Sequence, residues 1–388
     1  MKKIGYLEGL RGVAAIIVVI YHLQIIVHAD LTVILVSFLD RFIPHRIGSI
    51  FASSLNVLID GPQAVYIFWV LSAYVICIKL FDNSPLESNR YLIASVSKRY
   101  FRLFFPSAVS ILLAYLIMRF GLMFNLRLAE QSGNANLSTA YHFVPNVFFA
   151  IKSAVWDIFV NGDSEYNHVL WSMKIEFWGS LFCFSVFGIF RKSRKRLIVY
   201  LLMLFWILAM HEYGMLCFLL GFFLCDFDFC SKQYMDLKFI KLINKADAYF
   251  RTNKVLAIVL FLLIAFPGSL ILNKCSFPRT LIPAIISFGI VYCVIRIRLL
   301  NRFFETRMIA WLGKISFSLY LVHWPIFYSF SCWMYLAVGG SSRLKTLSTA
   351  LVSIVVCLAV AALYHAVIDR KCVLLTNRIG NYFKPKTA

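Results

Sequence analysis

Acidic residues are scarce in this chain: 18 Asp and Glu stand against 39 Lys and Arg, and charges of both signs make up only 15% of its 388 residues. So little charge in a 61% hydrophobic sequence, with a mean hydropathy of +0.78, excludes a water-soluble fold, because a chain of this length cannot hide that much apolar surface from water. Cysteine spacing of the metal-binding or redox kind is also missing. The ten cysteines form no CxxC pair, and Cys77, Cys183, Cys293 and Cys357 sit singly inside apolar runs, a pattern that argues against a metal site or a disulfide framework and predicts reduced, buried thiols. There is no internal repeat of the transporter kind, no low-complexity stretch and no appended soluble segment, so residues 1–388 are expected to form one membrane-embedded domain.

What the sequence does have is apolar runs of membrane length. Each crossing needs roughly 20 apolar residues in a helix whose backbone groups satisfy one another, and such runs recur at 10–28, 62–81, 103–123, 171–190, 197–211, 213–228, 255–272, 280–296, 309–334 and 347–368. The expected fold is an all-α integral membrane protein of about ten transmembrane helices. The net charge of +21 does not point to nucleic acid, since the basic residues lie in short clusters between the runs and not along one polar face. Starting inside with Lys2 and Lys3, every second connection is basic: Arg90 to Arg102, Arg191 to Arg196, Lys232 to Lys254, Arg298 to Arg307, and the tail with Arg370, Lys371 and Arg378. That alternation predicts both termini in the cytoplasm. The long connections 29–61 and 124–170 contain semi-apolar pieces such as Leu31 to Leu39 and Val144 to Phe159, too short to span and expected as interfacial or re-entrant helices on the outer side. The N-terminus imitates a secretory signal through Met1-Lys2-Lys3 and Val27-His28-Ala29. Glu8 and Arg11 lie too far in, however, and Tyr21 and His22 interrupt the apolar region, so the segment reads as the first permanent span.

Ionisable side chains inside such spans are costly, and function concentrates there. Arg11 and His22 stand eleven residues apart in the first span, about three turns and roughly 16 Å along one helix face. They either link the cytoplasmic boundary to the outer half of the membrane or are a snorkelling anchor and a polar gap-filler. Arg99 and Arg102 share a face at the start of the third span, which suits phosphate oxygens and equally suits plain positive-inside anchoring. Glu176, about one turn below the outer boundary, needs a partner: Lys174, a neighbouring helix, or His22, whose ring it could orient. Ser316, Tyr320 and His323, spaced by four and three, form a polar stripe in the ninth span that serves either helix packing or a substrate. Asp369 is expected to pair with a nearby Arg or Lys.

Taken together these segments resemble the acyltransferase-3 family of membrane-embedded O-acyltransferases, over nearly the whole chain. Residues 7–23, LEGLRGVAAIIVVIYHL, carry its Arg-to-His spacing; residues 68–76, FWVLSAYVI, are similar to its second-span phrase; Arg99 and Arg102 fill its Arg-x-x-Arg motif ahead of Pro106. Residues 171–178 match Trp-Ser-x-x-x-Glu, residues 315–325 match Ser-x-Ser-x-Tyr-Leu-x-His-x-Pro, and 364–370, YHAVIDR, match the closing phrase. Departures are Ala73 where Gly is usual, Ala64 and Tyr66 where Gly and Asp are common, Lys174 for a small or apolar residue, and Asp369 for Glu.

The resemblance implies an acyl-CoA donor, most often acetyl-CoA, a carbohydrate or glycolipid acceptor at the outer face, no metal cofactor, and a multi-pass protein of the bacterial inner membrane surrounded by lipid; it leaves the oligomeric state open. On that basis His22 is expected as general base or transient acyl carrier, with Arg11, Arg99 and Arg102 clamping the CoA phosphates. Glu176 is expected to fix the imidazole tautomer, and Ser316, Tyr320 and His323 to line the acceptor side or steady an oxyanion. Arg11 and His22 should then face one polar tunnel. The competing class is a transporter or flippase using Arg, His and Glu as an ion pathway, and a third is an assembly factor for a polysaccharide system.

Overall fold

The computed structural model describes residues 4–27, 59–82, 85–193, 195–230, 281–338 and 342–382, with isolated positions between 241 and 264. Among these residues all regular structure is helical and there is no strand, as the apolar runs predict. The long helices are α1 (Gly5–Val27), α2 (Gly61–Asp82), α3 (Pro85–Arg119), α6 (Ser172–Phe190), α7 (Arg196–Ala209), α8 (Tyr213–Cys230), α9 (Leu281–Arg296), α11 (Arg307–Ile326) and α12 (Ser342–Tyr364). The shorter ones are α4 (Asn125–Ser132), α5 (Val147–Lys152), α10 (Arg298–Phe304) and the tail helix α13 (Arg370–Tyr382).

Five helical stretches among the described residues are long and apolar enough to cross a bilayer, and a sixth is added if α9 and α10, which meet at 95°, form one broken span. The count of ten is not reached. The run 255–272 lies almost wholly outside the described residues, and α7 has only 14 residues, about 21 Å of helix against a hydrocarbon core of roughly 30 Å. Of the two long connections, 29–58 lies outside the described residues. The other, 124–170, is a chain of short pieces: α4, a 3-10 turn at Ala135–Thr139, α5, a π turn at Ser153–Asp157, a single turn at Ile158–Val160 and a 3-10 turn at His168–Trp171. None can span, and Val144, Phe148 and Phe149 are 88%, 77% and 65% exposed.

Two glycine contacts set the bundle. In α1 a Cβ added to Gly12 would lie 2.5 Å from the Gly313 nitrogen of α11, and one added to Gly313 would lie 2.3 Å from the Glu8 carbonyl. The two helices therefore touch backbone to backbone, the contact that small residues permit between helices in lipid. Ten residues further along each, His22 meets His323. The offset of 301 positions is the same at both points, so the helices run parallel and in register over about 15 Å. The second contact joins α2 to α8, where a Cβ on Gly221 would lie 2.4 Å from the Val70 carbonyl and 2.8 Å from the Ala73 Cβ. Ala73 thus stands opposite a glycine on the partner helix, which restores the close approach.

Charge pairing staples the remaining helices. Asp226 and Asp228 sit two apart on α8 and so face different neighbours. Asp226 pairs with the fully buried Arg196 of α7 at 3.0 Å and accepts from Tyr200 Oη at 2.8 Å; Asp228 pairs with Arg296 of α9 and accepts from Tyr74 Oη of α2. Arg196, which reads as loop charge, is therefore committed to a buried pair, and so is Arg296 at the end of the 280–296 run. The eight cysteines whose side chains are described are all free, and all but Cys372 are buried.

Gly313→Ala is expected to lower the thermal stability of the solubilised protein by an overpacking cost of about 1–3 kcal/mol. Gly188→Ala, where the nearest atom to the new Cβ is 3.4 Å away, is expected to be neutral or to stabilise by about 0.5–1 kcal/mol through the helix backbone. Thermal unfolding of both variants in one detergent checks the contrast.

Candidate active site

A cavity of about 180 Å³ opens among α1, α2, α3, α6 and α11, lined by Arg11, Arg99, Arg102, Glu176, Ser72, Ser316 and Tyr320 among others. Its polar wall is a chain of hydrogen bonds. Arg99 pairs with the Glu176 carboxylate and donates from Nε to Ser180 Oγ at 2.7 Å. Ser72 donates to the same carboxylate, and Arg11 reaches this group only through Ser72, with Nη2 at a long 3.5 Å from Ser72 Oγ. Arg102 pairs with Asp369 at 2.6 Å, and Asp369 also meets His365 Nδ1 at 2.9 Å within the π turn His365–Asp369. Three guanidiniums thus face the cavity with two carboxylates between them. Arg11 is the least committed of the three, so the cavity presents a net cationic site to an anion.

The second constellation lies beyond Tyr320. His22 Nδ1 and His323 Nε2 are 3.0 Å apart, and His323 Nδ1 is 3.0 Å from the Leu319 carbonyl oxygen. A carbonyl only accepts, so His323 carries its proton on Nδ1 and presents a bare Nε2. His22 must then donate from Nδ1, which leaves its own Nε2 as an unprotonated lone pair. Pro325, which has no N–H, frees the Leu321 carbonyl one turn back; Asn167 Nδ2 caps that carbonyl at 2.8 Å. The π turn Phe327–Ser331 follows directly.

Tyr320 lines the cavity, and its ring lies 5.9 Å from that of His323. Its Oη donates to the Val169 carbonyl at 2.7 Å and lies 2.8 Å from Ser172 Oγ, so its proton is held by the turn that starts α6. His22 and His323 are not among the cavity's lining residues. Arg11 faces this cavity and the imidazole pair does not line it, so this cavity by itself does not join Arg11 to His22.

The structure gathers six of the expected residues, Arg11, Arg99, Arg102, Glu176, Ser316 and Tyr320, around one cavity, and joins His22 to His323. It does not join Glu176 to His22. The carboxylate goes to Arg99 and Ser72, and the group that orients His22 is His323. Asp369 finds the expected basic partner in Arg102. Ser72 and Ser172 lay inside the quoted motifs without a role assigned to them, and Ser180, Asn167 and His168 carried no individual signal, because their partners are distant in the chain or common among residues packed between helices. Among the described residues no cluster of three or more His, Cys, Asp or Glu side chains could hold a metal ion.

A helical membrane bundle with an arginine-rich cavity at one level and a hydrogen-bonded imidazole pair at another has the parts of a group-transfer enzyme. The chain belongs to the acyltransferase-3 family, whose model, an acyltransferase domain, matches residues 4–366. It is similar to the O-acetyltransferase PaAT-1 of Phomopsis amygdali, with 22% identity over 374 residues that cover 84% of this chain and 72% of the relative. No solved structure matches it significantly.

The Arg99–Glu176 pair is 14% and 13% exposed, so removing one partner strands the other. Arg99→Ala and Glu176→Ala are each expected to cost about 3–5 kcal/mol of stability. The double variant is expected to lose less than the sum of the two, which a double-mutant cycle on thermal unfolding measures.

Proposed function

We propose that the protein transfers an acyl group, acetyl above all, from acyl-CoA to a hydroxyl of a glycan or glycolipid. The observation that carries this reading is the imidazole pair, whose hydrogen bonds leave His22 Nε2 as the free base. In the reaction the acceptor hydroxyl attacks the thioester carbonyl carbon, the C–O bond forms, and the hydroxyl proton passes to His22 Nε2. The C–S bond then breaks, and the proton moves on to the departing CoA thiolate. Such a base contributes on the order of 10² to 10⁴ in rate. His323 makes it possible by holding one tautomer through a backbone carbonyl.

The donor's phosphates are placed against Arg11 and Arg102, with the Arg99–Glu176 pair as the wall behind them. The pantetheine arm runs toward Tyr320. For the thioester to reach His22, Tyr320 must leave Val169 and Ser172, two hydrogen bonds of about 0.5–1.5 kcal/mol net each, a cost that donor binding can offset. Basic connections set the topology in this reading, with both termini and the arginine cavity on the cytoplasmic side of a bacterial inner membrane and the imidazole pair toward the opposite face.

His22→Ala is expected to abolish transfer while the protein still inserts; retained transfer rules out the base. His323→Ala is expected to lose about 10²-fold, and His323→Gln to recover most of it, since an amide can donate to Leu319 and accept from His22 at once. Equal loss in both His323 variants contradicts the tautomer role. Arg11→Ala is expected to raise the apparent KM for acyl-CoA about tenfold or more, the worth of one charged hydrogen bond, with an unchanged KM counting against the clamp.

A further inference from the structure

On the arginine side of the site the hydroxyls expected to bind acceptor already donate within the protein in the resting state: Ser316 to the Gly313 carbonyl at 2.9 Å, and Tyr320 to the Val169 carbonyl at 2.7 Å beside Ser172 Oγ. The free valences lie around His22. Its ring stands edge-on to Trp324, with centroids 5.1 Å apart, and edge-on to Tyr21 at 5.3 Å. His168, an exposed side chain, lies against Trp324 at 5.2 Å. Trp324 is only 6% exposed, and its indole Nε1–H is buried without a hydrogen-bond partner among the described residues. An indole N–H is a donor only, and one left unpaired in such a place is costly.

We propose that Trp324, with Tyr21 and His168 as aromatic walls, forms the acceptor subsite, and that its N–H binds an oxygen of the acceptor next to the hydroxyl being activated by His22. This rests on the reading of His22 as the base. Two separate functions need two oxygens: one hydroxyl gives its proton to His22 Nε2, and a second oxygen accepts from Trp324 Nε1. A simple alcohol has one oxygen and a sugar has several, so the subsite selects a carbohydrate over a monohydroxyl acceptor. Aromatic walls with one or two placed polar groups are also the usual lining of a small-molecule site. Trp324 acts on position and not on the proton, so water, which needs no positioning, should still react in its absence.

The test uses the purified full chain in nanodiscs with acetyl-CoA and four acceptors: methyl glucoside, methyl N-acetylglucosaminide, 1-butanol and water. The wild-type protein is expected to acetylate a glycoside in preference to butanol. Trp324→Phe, which keeps the ring and removes the donor, is expected to lose about tenfold in kcat/KM toward the glycosides relative to its own butanol transfer and acetyl-CoA hydrolysis, the worth of one hydrogen bond. A loss shared equally by all four acceptors, no loss at all, or a wild-type protein that prefers butanol or acetylates neither glycoside overturns the subsite. His22→Ala run alongside separates the two claims. Transfer retained there defeats the base itself, whereas transfer lost there with an unaltered Trp324→Phe defeats only the subsite.

Discussion

The backbone contact between α1 and α11 at Gly12 and Gly313 determines what the rest of the molecule can do. Lipid supplies no hydrophobic drive to bring two apolar helices together, so close packing and interhelical hydrogen bonds must do it. With the glycines in contact, the register carries His22 onto His323 ten residues further along, and it sets Arg11 beside the same cavity wall as Ser316 and Tyr320. A larger residue at either glycine would separate the imidazoles before it unfolded the bundle.

Pairing of charge is the second constraint. The arginines at 99, 102, 196 and 296 each have a carboxylate partner, and each pair joins two different helical segments. Arg11 is the exception at the cavity, tied to Glu176 only through Ser72. A guanidinium held in that way is poised for an anionic ligand. In the imidazole pair the same economy applies to protons: a backbone carbonyl fixes one tautomer, and that tautomer fixes the other.

Hydropathy and polar interruptions made much of this legible. Arg11, His22, Arg99, Glu176, Tyr320 and His323 stood out because each is costly in an apolar run, and all of them converge on two adjoining constellations. Their pairing was not legible. Glu176 was expected near His22 from its depth along the span, but a hydropathy run does not fix the height of its first residues, and the carboxylate lies at the level of the arginines, paired with Arg99. The ten-span count is not confirmed among the described residues. A hydropathy window counts apolar residues without registering a 14-residue helix such as α7 or the 95° break between α9 and α10. Ala73 in place of glycine is a departure on one strand of text only, since Gly221 opposite restores the space.

The proton on the His22 ring is the most direct test of the account. Nitrogen-15 NMR of histidine-labelled protein at neutral pH, with the His22 signals identified by their loss in a His22→Gln variant, reports which ring nitrogen is protonated. The account predicts a protonated Nδ1 and a bare Nε2, with His323 in the same tautomer. A His22 protonated on Nε2 would contradict it, because no base would then remain to receive the acceptor's proton.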